Sequence, residues 1–227
     1  PGGVVLDFIY AADSRKDDLN IHLSGTENSA GFSAVGYAQS SGKLGVAYAT
    51  RGPGLTNMYT SICDAYFDSL PVLFITAHSK KYSFSSRRIE EEQEFDTVSS
   101  IKNVTKYSAR IEELSELKSV LSDAVKSALS SPQGPVFIDF LSGIFKEEID
   151  DCNDELSENI VEKESLDFSD ISNKLDDYIA SAEQPIILFG SGIRQSGTNN
   201  LFADLVQKMR IPVLSSFIAQ DVIPSSE

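Results

Sequence analysis

The chain predicts an α/β fold: a parallel sheet covered by helices on both faces, followed by the start of a second, Rossmann-like α/β unit. Two observations carry this. Apolar β-rich runs alternate with helix-like runs from Gly3 to Phe140 and again after residue 170, the pattern of βα repeats around a parallel sheet. Two of the runs, "PVLFITA" and "GPVFIDF", are apolar nearly throughout, as strands buried on both faces are.

The elements follow in order. "VVLDFIYAA" has helical spacing, and "NIHLS" reads as a short strand. "TENSAGFSAVGYAQS" is a helix rich in small residues, with Gly42 as its C-cap. "LGVAYAT" is a strand and "LTNMYTSICDAYF" a helix; "PVLFITA" is a buried strand. "EELSELKSVLSDAVKSALSS" is an amphipathic helix with Leu114, Leu117, Leu121, Val125 and Leu129 on one face. "GPVFIDF" closes the first sheet. Residues 147–170 hold eleven acids and one lysine. Such a run repels itself and reads as a solvated linker. Helix "ISNKLDDYIASA", strand "PIILFG", helix "NNLFADLVQKM" and strand "IPVLS" then resume the alternation. Two strands and two helices make a small second sheet, so this unit reads as truncated. The expected organisation is residues 1–146, a linker at 147–170, and 171–227 as the beginning of a second domain.

Composition narrows the function. The chain has 227 residues, 41% hydrophobic and 23% charged, and a formal net charge of −15. That charge argues against nucleic acid or an anionic membrane as partner. No apolar run reaches the length of a membrane span. Cys63 and Cys152 fit no metal or disulfide framework. Cys63 reads as a buried free thiol, and a reducing cytoplasm is the simplest compartment.

Several motifs could carry chemistry. Glu27 is a lone acid in an uncharged segment. Thr26 as N-cap and the helix macrodipole explain an acid there without any function. Yet Ala30, Gly31, Ala34 and Gly36 let a backbone or a flat ligand come close, and a carboxyl among them could share a proton with a ring nitrogen. "TRGPGLTN" places Gly52, Pro53 and Gly54 between a strand and a helix, at the edge where α/β proteins bind ligands. It also serves as a plain turn of unusual dihedrals. "GSGIRQSG" approximates a dinucleotide fingerprint with the wrong spacing, and a tight turn explains it equally well. His22 and His78 are isolated, and His78 reads as a satisfied structural histidine. "RRIEEEQEFD" reads as a charged face.

Taken together, the chain resembles the amino-terminal pyrimidine-binding domain of thiamine diphosphate enzymes, most closely the acetolactate synthase group. The resemblance rests on "PGG", "GTENSAGFSAVGYAQSSGKLGVAYATRGPGLTN", "DAYFDSLPVLFIT", "QEFDTV…VTK", "SPQGPVFIDF" and "QPIILFGSGIRQSG…IPVLSS", in that order. It implies a three-layer α/β/α pyrimidine-binding domain and the start of a Rossmann-like central domain. It implies that Glu27 bonds the aminopyrimidine N1′ of thiamine diphosphate, promoting the imino form that deprotonates the thiazolium C2. The carbanion then attacks a 2-keto acid such as pyruvate, carbon dioxide leaves, and the enamine passes to an acceptor. Gly2 and Gly3 match residues near the thiazolium; Gly52, Pro53 and Asn57 match the turn beside the pyrimidine. Gln93 and Lys106 match the substrate side.

Thr26 stands in place of a histidine, Arg51 in place of a small residue, and Glu92 in place of an aromatic. These departures bear on the substrate more than on the cofactor. They also leave a second reading, a catalytically silent module kept for assembly. The resemblance implies Mg²⁺ held by a separate carboxyl-terminal domain with a GDG…NN motif, which this sequence lacks. The chain itself then offers no metal ligands and is expected to be an inactive part of a longer enzyme. Flavin (FAD) is carried by some relatives in the middle domain. A homodimer or homotetramer with its active site between subunits is implied.

Overall fold

The structure, a computed structural model, describes residues 2–79, 93, 95–149 and 167–223. The chain divides into two compact units, Pro1–Val161 and Glu162–Glu227. The acidic run and Cys152 lie largely or wholly outside the described residues.

Among the described residues, the first unit holds a sheet of four parallel strands: β1 (Gly45–Tyr48), β2 (Val72–His78), β3 (Tyr107–Ile111) and β4 (Val136–Leu141). Their order across the sheet is β1-β2-β4-β3. β2 and β4 are central and almost wholly buried, which is why both read as near-continuous apolar runs. Register pairs Phe74 with Phe137 and Thr76 with Asp139; β3 adds Arg110 opposite Asp139. The row Thr76–Asp139–Arg110 therefore crosses three strands on one face.

Helices cover both faces. On one, α2 (Glu27–Ser41), α3 (Pro53–Phe67) and the short α4 (Thr97–Ile101) pack over Val72, Phe74 and Phe137. On the other, α5 (Leu117–Leu129), a 3-10 turn at Gly3–Val5 and another at Ser142–Lys146 pack over Leu73, Ile75, Val136 and Ile138. α1 (Leu6–Ser14) joins this side through Phe8, whose ring meets Tyr48 edge-on with centroids 4.9 Å apart. The three-layer α/β/α arrangement matches the expectation.

Particular elements differ from the sequence reading. "NIHLS" is not a strand: it has no pairing partner, and Ile21 and Leu23 are exposed. β3 and α4 were not expected. β3 is an edge strand, so only Ile111 of "YSARI" is fully buried and the apolar signal is faint. The buried face of α5 is centred on Ala124 and Ala128, with Leu117, Val120 and Leu121 beside them, rather than on Val125 and Leu129.

The small residues of α2 have a packing role. A Cβ on Gly31 would lie 1.9 Å from the Ser61 hydroxyl of α3, and one on Gly45 would lie 2.3 Å from the Ala34 carbonyl oxygen. α2 thus sits directly on α3 and β1, whereas Gly36 faces open space. Gly42 ends the helix with φ +69°, as its C-cap role requires.

In the second unit α6 (Ser169–Ser181), α7 (Gly192–Gln195) and α8 (Asn199–Met209) accompany a parallel pair, β5 (Ile187–Phe189) and β6 (Val213–Ser215). Its buried cluster is Phe189, Ala219 and Val222.

Gly31→Ala is expected to destabilise the first unit by about 1–3 kcal/mol, because the added methyl overpacks the α2–α3 contact. Urea unfolding checks it: the midpoint falls with the slope unchanged, and Ser61→Gly in the same chain recovers part of the loss.

Candidate functional site

The carboxyl ends of β1 and β2 collect most of the sequence-predicted site residues. Thr26 caps α2, its hydroxyl accepting from the Ser29 N–H at 3.2 Å. That cap places Glu27 at the first helical position, half-buried and near the positive end of the helix dipole. Asn57, one turn along α3 from Pro53, donates its side-chain N–H to Glu27 Oε2 at 3.0 Å. The Asn57 amide holds the Glu27 carboxyl below the ordinary carboxylate value of 4.5, a backbone hydrogen bond helps, and partial burial opposes both. Two motif segments thirty residues apart are joined here by one charge-assisted hydrogen bond. Its residue is only half-buried and its proton affinity is lowered.

The turn between β1 and α3 is shaped by close approach. Gly52 adopts φ +54° and caps α3, with Pro53 at its first position. A Cβ on Gly52 would lie 1.7 Å from the Gln93 carbonyl oxygen. No side chain fits there, and Gln93 itself takes φ +64°. Gly2 belongs to the same edge, since a Cβ on it would lie 2.2 Å from Thr50 Oγ1. Gly3 has nothing within 4 Å of its missing side chain. Arg51 donates from Nη1 to Ser79 Oγ at 2.6 Å, tying the turn to the residue after β2.

Lys106 is not brought to this group. It precedes β3, at the amino ends of the strands, where its backbone N–H donates to the Pro135 carbonyl. Its Nζ donates to the Ser127 and Ser130 carbonyls and the Ser130 hydroxyl at 2.6–2.8 Å. Burial pushes its pKa down. In this structure it satisfies the carbonyls ending α5, and Gly134 leaves room for its stem. Glu92 and residues 80–91 lie outside the described residues. "GSGIRQSG" folds into α7 and closes on itself, with Arg194 bonded to Asp221 and to the Ile218 carbonyl.

Sequence reasoning missed a buried polar cluster under the same edge. Asp139 on β4 is 1% exposed and accepts from Thr76 Oγ1 at 2.8 Å and Thr97 Oγ1 at 2.6 Å. His78 Nδ1 lies 3.3 Å from Asp139 Oδ2, and Arg110 Nε lies 3.6 Å from the same oxygen. Arg110 also donates from Nη2 to Asp96 Oδ1 at 3.1 Å, and Asp96 caps α4 through Ser99. Burial alone would raise the Asp139 pKa, but His78 and the two threonine hydroxyls outweigh it and hold the carboxyl below 3.8. His78 is buried as expected but not satisfied, because neither ring nitrogen makes a well-directed hydrogen bond. The available signal was a single acid inside the apolar run "GPVFIDF".

Comparison with known proteins decides what this edge belongs to. Residues 1–100 match the model described as thiamine pyrophosphate enzyme, N-terminal TPP binding domain, and residues 173–227 match the thiamine pyrophosphate enzyme central domain. The chain belongs to the thiamine pyrophosphate enzyme family. Within that family it is similar to the acetolactate synthase large subunit of Lactococcus lactis subsp. lactis (strain IL1403), 34% identical over 229 residues. That match covers 100% of this chain and 39% of the relative. It is also similar to acetolactate synthase isozyme 1 large subunit of Escherichia coli (strain K12), 30% identical, with 100% and 39% covered. The acetolactate synthase of Arthrospira platensis is 31% identical, with 97% and 38% covered. The chain thus spans about two fifths of the length of these relatives.

The Asp139 cluster has a pH consequence. The folded carboxyl titrates below its ordinary 3.8, so the unfolded chain binds a proton first. The stability this contributes is complete above that value and is lost as pH falls through the lower folded pKa. Asp139→Asn is expected to cost about 3–5 kcal/mol at neutral pH by leaving Arg110 and His78 short of their anion. It also removes part of the acid-side loss; thermal unfolding followed from pH 7 to pH 2 reads both.

Proposed function

We propose that this chain is the pyrimidine side of an acetolactate-synthase-like enzyme that decarboxylates a 2-keto acid such as pyruvate and passes the acyl unit to an acceptor. The observation that supports it is the Glu27–Asn57 hydrogen bond beside the Gly52–Pro53 turn. An acid able to bond a ring nitrogen is held in one direction by Asn57, on the helix that the turn opens, which suits a flat heteroaromatic ring. Thiamine diphosphate, when bound, supplies the electron sink that a 2-keto acid needs to lose carbon dioxide.

On this reading each residue has a limited task. Glu27 holds or gives a proton at the pyrimidine nitrogen, and Asn57 fixes the carboxyl's direction. Gly52 and Pro53 let the ring approach the turn, with Gly2 and Gly3 lining the same edge. Gln93 faces the substrate. Lys106, assigned to the substrate side by resemblance, reaches it only if it leaves the α5 carbonyls. The residues fit the pyrimidine end of the cofactor. By the resemblance, Mg²⁺ and the diphosphate are assigned to another part of the enzyme. The domain division follows: residues 1–146 bind pyrimidine, 147–170 link, and 171–227 begin the central domain, where relatives that carry FAD bind it.

A half-exposed Glu27 with lowered proton affinity needs a cover to become effective. A homodimer or homotetramer with the site between subunits supplies one, and the chain alone is then inactive. No helix among the described residues is long and apolar enough to cross a membrane; a cytoplasmic setting is part of the proposal. The same exposed carboxyl also favours the second reading, a silent assembly module.

Calorimetry separates the two. The full-length protein is expected to bind thiamine diphosphate with Mg²⁺, whereas a silent module gives no heat. Glu27→Gln is expected to lower pyruvate turnover by roughly 10²–10⁴, the range for losing one positioned proton-transfer group. Unchanged turnover on pyruvate and other 2-keto acids removes Glu27 from the mechanism.

A further inference from the structure

The contacts around the carboxyl edge close into a ring. Gly52 is pressed against the Gln93 carbonyl. Three residues on, Asp96 is held by Arg110, and Thr97 donates to Asp139. Asp139 meets His78 at the end of β2. Ser79, the next residue, accepts from Arg51, and Arg51 adjoins Gly52. The ring joins the turn assigned to the pyrimidine with the residue assigned to the substrate, and it does so through a buried imidazole and a buried carboxylate.

The chemistry of these two buried groups argues that they do more than fill space. A core position at the end of β2 accepts an apolar side chain at no polar cost, yet it carries an imidazole, 3% exposed, whose Nε2 has no hydrogen-bond partner among the described residues. Such a group is costly unless a partner on its other side repays it. Among the described residues the anion beside it is Asp139, 3.3 Å from Nδ1. Asp139 in turn contacts Thr97, His78 and Arg110 at once. α4 is only five residues long, Thr97–Ile101, so its placement depends on these anchors and on Ile101 in the core.

We propose that His78 and Asp139 are positioning residues: they hold α4, and through it Gln93, in register with the Arg51–Pro53 turn, so that the substrate-side amide faces the 2-keto acid at a fixed distance from the cofactor ring. This deepens the proposed function and rests on it for the identity of the two sides.

The test uses the full-length protein with His78→Phe, which fills the site without the polar contact, and His78→Gln, which restores an amide donor toward Asp139. Thr97→Val breaks the ring from the α4 side at nearly constant volume and serves if His78→Phe fails to fold. Three quantities are read: hydrogen exchange of amides 95–101, the KM for pyruvate, and the Kd for thiamine diphosphate. His78→Phe and Thr97→Val are expected to speed exchange over 95–101 by about tenfold without changing 58–66 on α3. Both are expected to raise the pyruvate KM about fivefold while the cofactor Kd stays within about twofold. His78→Gln is expected to return both readouts most of the way. Unchanged exchange over 95–101 in both breaking variants overturns the ring. So does a cofactor Kd that rises in step with KM, or a glutamine variant as impaired as the phenylalanine one. A wild-type protein that binds no thiamine diphosphate defeats the functional reading instead, and the exchange arm still decides the ring.

Discussion

An ionised carboxylate inside a parallel sheet must be surrounded by donors, and Asp139 sets much of the local architecture by that requirement. Strand pairing cannot supply donors to a side chain. They come from Thr76 across the ladder and from Thr97 on a helix laid over it, and Arg110 on the neighbouring strand adds a positive charge 3.6 Å away. Each donor fixes an element. Thr97 determines where α4 lies, and Arg110 ties the edge strand β3 to the Asp96 cap of α4. Were Asp139 apolar, α4 would lose the Thr97 anchor and keep the Asp96–Arg110 contact, the Tyr59 hydroxyl on the Ser100 carbonyl and the apolar contacts of Ile101, Val98 and Val104. The pattern is that of a buried polar group which specifies one arrangement among several of similar apolar burial.

That arrangement matters because the same edge gathers the glycines. Gly52 at φ +54° brings its backbone against Gln93, and Gly2 brings the amino-terminal segment against Thr50. Both approaches are closer than any side chain permits. The α2 amino terminus brings Glu27 to the same edge. The edge is therefore made by two unlike means, close backbone contacts at glycine and one hydrogen-bonded acid.

How much of this was legible in the sequence depended on periodicity and on signal strength. β2 and β4 were readable because central parallel strands are apolar on both faces, and α2 because Thr26 and Gly42 mark its ends. β3 was not, because an edge strand alternates Ser108 and Arg110 with Tyr107 and Ala109 at half burial. "NIHLS" misled for the converse reason: it alternates as a strand does but has no neighbour to pair with. At the site, Glu27, Asn57 and Gly52 were found from motif order, and their proximity is now explained by the α2–α3 contact through Gly31. The Asp139 cluster was hidden because its members are scattered from Thr76 to Asp139 and no local spacing links them. Lys106 shows the limit of motif matching, since a matching residue type satisfies helix carbonyls at the opposite end of the strands.

The Glu27 carboxyl raises a question of sign. Sharing a proton with a ring nitrogen works best when acid and base have matched affinities, yet Asn57 moves this acid the wrong way. The two facts are reconciled by the balance of causes at the position. The Asn57 bond lowers the proton affinity now, while desolvation already acts in the opposite sense and is weak only because the residue is half-exposed. Covering the carboxyl with a ring and a further protein surface strengthens desolvation without touching Asn57. It also replaces water by the ring nitrogen as hydrogen-bond partner. Phe32 and Tyr37 on α2 and Tyr66 and Phe67 on α3 are exposed on the same two helices. An acid that is held ionised in the open and gains proton affinity on closure is suited to wait without a ligand and to act with one.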